Sequence, residues 1–63
     1  MENSTWTFLD DNMIVIHIGV GNITTMEFNP PILDSFAHMV KVTEERGVAE
    51  IGKKWNWEIN KFE

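Results

Sequence analysis

Histidine is the commonest general acid or base, so His17 and His38 are the first residues of this chain to ask about catalysis. Such a base needs a partner within hydrogen-bond reach, and no serine or carboxylate pattern beside either histidine specifies one. His17 therefore reads as a strand residue on a less buried face, and His38 as a solvent-facing neighbour of Asp34. An enzyme would have to assemble a His17 or His38 site between subunits. Asp34 and His38 would offer two ligands from adjacent turns of a helix, but a zinc site takes at least about three protein ligands, and the segment holds no further histidine. Asp10-Asp11-Asn12 has too few oxygens for a calcium loop and reads as turn chemistry. Gly19-Val20-Gly21 follows an apolar strand, as phosphate loops do, yet no helix follows to point its N-terminus at an anion. The chain has no cysteine, which removes thiolate metal sites and disulfides. No metal, no cofactor and no enzymatic activity is expected.

Binding chemistry is better represented. Lys53-Lys54-Trp55-Asn56-Trp57, with Lys61-Phe62, interleaves cations and rings as a single-stranded nucleic-acid platform does, with charge for phosphates and indoles for stacked bases. The formal net charge of −5 opposes that use, because nucleic-acid binding rests on neutralising phosphates. The alternation of Trp55, Trp57 and Ile59 is explained equally well by burial of one strand face. An acidic balance suits a chain whose partner is a protein, and a basic one in particular.

The elements that would position these residues follow from their spacing. Thr5 to Leu9 alternates polar with large apolar residues, and Asp10-Asp11-Asn12 then makes the turn of a hairpin. Met13 to Ile18 is a nearly continuous apolar run rich in β-branched residues, which suits a central strand. Gly19-Val20-Gly21-Asn22 reads as the next turn and Ile23 to Phe28 as a third strand. Past Asn29-Pro30-Pro31, the residues Ile32, Leu33, Phe36, Met39, Val40 and Thr43 recur with helical spacing, and Gly47 suits a left-handed cap. The pattern predicts an amphipathic helix at about 31–46. Trp55 to Asn60 alternates strictly and predicts a strand with Trp55, Trp57 and Ile59 inward.

The expected fold class is therefore α+β. It is one domain spanning residues 1–63, a small antiparallel sheet packed on one amphipathic helix. The sheet would consist of a three-stranded N-terminal meander plus one or two C-terminal strands. The expected core is Trp6, Phe8, Ile14, Ile16, Ile18, Met26, Phe28, Ile32, Leu33, Phe36, Met39, Val40, Trp55, Trp57 and Ile59. Leu9, Met13, Val15, His17, Ile23 and Thr25 would then lie on the outer sheet face, where Leu9, Met13, Val15 and Ile23 are left uncovered as a patch suited to docking. With three tryptophans and four phenylalanines, a chain of 63 residues has aromatic bulk for a core but a thin stability margin.

These features predict a small acidic protein that acts by stoichiometric protein binding, as a non-enzymatic regulator or inhibitor of the phage or mobile-element kind. The expected contacts are Met13, Val15, His17 and Thr25, with Asp10 and Asp11 at the edge. A homodimer through the same outer face is the second expectation. The alternative is a single-stranded nucleic-acid binder using Lys53, Lys54, Trp55, Trp57 and Lys61, although nucleic acid is the less expected partner. No apolar run is long enough for a membrane-spanning helix, and the N-terminal residues lack the basic start and apolar run of a signal peptide. A cytoplasmic location without membrane contact is expected.

Overall fold

A strand with large residues on both faces must be covered on both faces, and that requirement governs the computed structural model, which describes residues 3–32 and 35–63. The strand is β1 (Ser4–Leu9). It is flanked by β2 (Val15–Asn22) and β4 (His38–Lys41), and β3 (Glu27–Asn29) adds outside β2. The four form an antiparallel sheet in the order β3-β2-β1-β4. A single 3₁₀ turn (Glu44–Arg46) follows, and then a two-stranded hairpin of β5 (Trp55–Asn56) and β6 (Lys61–Phe62).

The expected α+β class is overturned, because the described residues contain no amphipathic helix and the architecture is all β. The segment expected as a helix at about 31–46 instead contributes β4 and the 3₁₀ turn. The physical reason lies in β1. Its free edge needs partners for buried backbone groups, and a stretch of this length is only marginally helical by itself. Val40, Val42 and Thr43 favour extended backbone, and the pairing supplies Ala37 N–H to the Leu9 carbonyl and Val42 N–H to the Thr5 carbonyl. The Thr7 hydroxyl, fully buried, donates to the Val40 carbonyl at 2.9 Å. Leu33 and Asp34, and with them the proposed Asp34–His38 pair, lie outside the described residues.

The Asp10-Asp11-Asn12 turn forms as expected. The Asp10 carboxylate accepts the backbone N–H groups of Asn12 at 2.8 Å and Ile14 at 3.0 Å. The next turn does not fall at Gly19–Asn22, which belongs to β2. Gly21 is paired with Phe28, and a Cβ there would fall 2.7 Å from the Phe28 Cα and run into the Glu27 carbonyl. The glycine serves close approach and not chain reversal. Reversal occurs at 23–26, where the Asn22 side-chain oxygen accepts the Thr24 N–H at 2.8 Å and Met26 takes φ 59°.

A β-bulge decides which residues are inside. Phe8 pairs with His17 but Leu9 pairs with Val15, so Ile16 is the extra residue. Directly paired residues share a face, so Thr7, Leu9, Val15, Ile18 and Val40 lie on one side and Trp6, Phe8, His17, Gly19 and Met39 on the other. Val15 is 1% exposed and Ile16 38%, the reverse of the expected assignment. The first face packs Leu9, Val15 and Val40 against Trp55 and Phe62 from the C-terminal hairpin. On the second, the Phe8 ring meets Phe28 at 5.1 Å, Phe36 at 4.9 Å and His17 at 5.3 Å. Of the expected core, Phe8, Phe28, Val40 and Trp55 are buried, whereas Met26, Trp57 and Ile59 are exposed. Leu9, Val15 and Phe62 are buried although they were not expected to be.

The C-terminal strand is also shorter than its alternation predicts. β5 ends at Asn56, whose side-chain oxygen accepts the Glu58 N–H at 2.9 Å, and the chain reverses over 57–60 with Asn60 at φ 54°. Residues 52–55 run antiparallel along the start of β2, with Val15 N–H on the Lys53 carbonyl and Trp55 N–H on the Met13 carbonyl, both at 2.8 Å.

Candidate functional site

The hairpin that buries Trp55 leaves Trp57 outside, because the chain turns before a second inward position is reached. Trp57 is 51% exposed, yet it is held in place. Its indole N–H points to the Met13 sulfur at 3.1 Å, and its ring meets Trp55 at 5.4 Å and His38 at 6.2 Å, each edge to face. Between this hairpin and β4 lies a cleft of about 360 Å³ lined by Trp6, Met39, Val40, Lys41, Arg46, Trp55, Trp57 and Asn60. All three tryptophans of the chain therefore meet in one depression.

Arg46 ties the cleft together. The 3₁₀ turn carries its guanidinium to 5.6 Å from the centre of the Trp55 ring, and Nη1 donates to the Lys41 carbonyl at 2.8 Å. An adjoining depression shares Arg46 and Asn60 and adds Glu45, Ile59 and Lys61. Three of the five cations of an otherwise acidic chain, Lys41, Arg46 and Lys61, thus border the aromatic cleft or its neighbour. The indole N–H of Trp55 is buried and has no hydrogen-bond partner among the described residues.

The residues expected to form a protein-binding face are dispersed. Val15 is core, Met13 sits in the first turn under Trp57, and His17 lies on the opposite sheet face with Nε2 3.1 Å from the Pro30 carbonyl. Thr25 is in the β2–β3 turn, with its hydroxyl near the Asn22 carbonyl. Asp10 is engaged with its own turn and Asp11 is exposed, both beside Ser35, Phe36 and Ala37. The sheet face proposed for a second copy is covered at Leu9 and Val15 by the chain's own Trp55 and Phe62.

Of the alternative set, Trp55 and Trp57 line the cleft and Lys61 the neighbouring depression. Lys53 donates to the Val48 carbonyl at 3.1 Å, and Lys54 is exposed on the strand segment bridged to Ile14. Trp6, Lys41 and Arg46 were not singled out from the sequence. Trp6 lies far along the chain from the other two, and only β1–β4 pairing sets it opposite Lys41. Among the described residues, no group of three or more His, Asp or Glu side chains is placed to hold a metal ion. No helix there is long and apolar enough to cross a membrane. Compared with known proteins, the chain matches no family model, no curated protein and no solved structure.

Proposed function

We propose that this protein acts by stoichiometric, non-enzymatic binding of another protein, as a cytoplasmic regulator or inhibitor, with the tryptophan cleft as its contact centre. The observation that carries this reading is Trp57, half exposed at the cleft mouth yet fixed by Met13, His38 and Trp55. A large ring already immobilised in the free protein loses little freedom on binding, which is what makes tryptophan a frequent energetic centre of interfaces. The histidines support the same reading, since the His17 nitrogen is engaged by a backbone carbonyl and His38 packs against Trp57.

The test is retention from a lysate of the source cell on the immobilised full chain, with and without nuclease, compared between wild type and Trp57→Ala. One protein held near equimolar ratio in both nuclease conditions, and lost with Trp57→Ala, is the expected result. Because Trp57 is on the surface, that variant should keep its fold, as circular dichroism would verify. Retention unchanged in the variant, or material lost on nuclease treatment, would overturn the reading.

A further inference from the structure

Trp55 forms one wall of the cleft and carries a buried indole N–H without an acceptor among the described residues. Folded proteins rarely leave such a donor unsatisfied, since burying it forfeits its bond to water. The Arg46 guanidinium stands 5.6 Å from the ring centre above it, with Lys41 on the same cleft. A guanidinium has several N–H donors, so the bond from Arg46 to the Lys41 carbonyl leaves others for a ligand. The cleft thus combines aromatic ring walls with two cations, one of which keeps donors to spare.

We propose that the cleft binds an acidic, proline-containing extended peptide segment of the partner, an inference that rests on the protein-binding reading above. Polyproline II backbone makes no internal hydrogen bonds, so its carbonyls are free to accept from a guanidinium, and its rings suit aromatic-lined grooves. Trp6, Trp55 and Trp57 supply the walls for proline, and Lys41 and Arg46 the charge for a flanking carboxylate.

The same cations favour a short acidic segment over a nucleic-acid strand. Charges are screened over about 8 Å at physiological salt, so in a molecule extending 29 × 24 × 16 Å a carboxylate seated here feels mainly Lys41 and Arg46. A strand of phosphates running past the cleft meets Glu45 beside Lys61 in the adjoining depression, and beyond them a chain of net charge −5.

The experiment titrates the full chain with four probes: a Glu-Pro-Pro repeat peptide of about nine residues, roughly 28 Å when extended, a Lys-Pro-Pro repeat, a Glu-Gly-Ser repeat and an oligothymidylate. Tryptophan emission and the indole resonances in a proton–nitrogen correlation spectrum report binding. The Glu-Pro-Pro peptide should bind at least about tenfold more tightly than each of the others, equivalent to about 1.4 kcal/mol. It should move the Trp55 indole resonance and lose about tenfold or more in affinity with Lys41→Glu and with Trp57→Ala. Equal binding of the control peptides, preference for the oligothymidylate, or a Trp55 resonance that stays in place would overturn the proposal. If the peptide fails while the lysate partner is still held through Trp57, only the chemistry of the occupant is wrong. If neither is held, the protein-binding reading falls as well.

Discussion

Val15→Lys and Ile16→Lys alter adjacent residues of one strand, and the bulge makes their outcomes opposite. Val15 is 1% exposed among Leu9, Val40, Trp55 and Phe62. Replacing it forfeits about 1.5–3 kcal/mol of apolar burial. The introduced ammonium must also lose its proton to sit there. With an ordinary lysine pKa of about 10.4, that costs roughly 4.6 kcal/mol at pH 7. A domain of 63 residues has on the order of 3–9 kcal/mol of stability in all, so Val15→Lys should be largely unfolded. Ile16 is 38% exposed, and a lysine there can lay its stem along the surface with its charge in water, at a cost of about 1 kcal/mol. Urea titration followed by circular dichroism reads both. With a slope of about 1 kcal/mol/M, Ile16→Lys should lower the midpoint by about 1 M, while Val15→Lys shows no folded baseline at pH 7. Because the folded form of Val15→Lys binds fewer protons than the unfolded form, its stability should rise with pH, by roughly 2.7 kcal/mol from pH 7 to 9. A reversed order, with Ile16→Lys the more damaging, would refute the bulged register.

Other positions carry further tests. Gly21→Ala drives a methyl group into the Glu27 carbonyl and against the Phe28 ring, so it should cost at least about 1–3 kcal/mol by thermal melting. Gly52→Ala, with open space around it but φ of +94°, should lose only about 1–2 kcal/mol from backbone strain. Asp10→Ala removes the acceptor for two backbone N–H groups and should destabilise by about 1–2 kcal/mol, whereas Asp11→Ala, exposed in the same turn, should fall within about 0.5 kcal/mol. Trp57→Phe should move the emission maximum to the blue and reduce acrylamide quenching, because it removes the most exposed indole and leaves Trp55 buried. Unchanged quenching would place Trp57 inside.

Several local features were legible in the residues themselves. Asp10-Asp11-Asn12 forms its turn, Trp6 and Phe8 share a face, and Phe8, Phe28 and Trp55 are buried. In each case a short-range preference and the long-range packing agree. Elsewhere the local pattern was ambiguous. Met13 to Ile18 is apolar at nearly every position, so either phase buries a good strand, and the bulge at Ile16 is what selects Val15. The glycines at 19 and 21 permit a turn and also permit a ring to pack against the backbone. Only the pairing with Phe28 shows that Gly21 does the second, as the stretch from Asn22 to Met26 takes the reversal.

The candidate site was legible in part. The C-terminal tryptophans drew attention because of their spacing, but the expectation that Trp57 points inward failed at the turn set by Asn56 and Asn60. Trp6, Lys41 and Arg46 join them only through β1–β4 pairing and the 3₁₀ turn.

The sequence by itself determined the lack of cysteine, the acidic balance, the first turn and the aromatic supply for a core. Tertiary structure decided the class of fold. The helical spacing from Ile32 to Thr43 is real, yet a helix there satisfies only its own backbone, whereas an extended His38–Lys41 also satisfies the open edge of β1 and seats Val40 in the core. That advantage belongs to residues more than 30 positions apart, such as Thr7 and Val40, and no local pattern contains it.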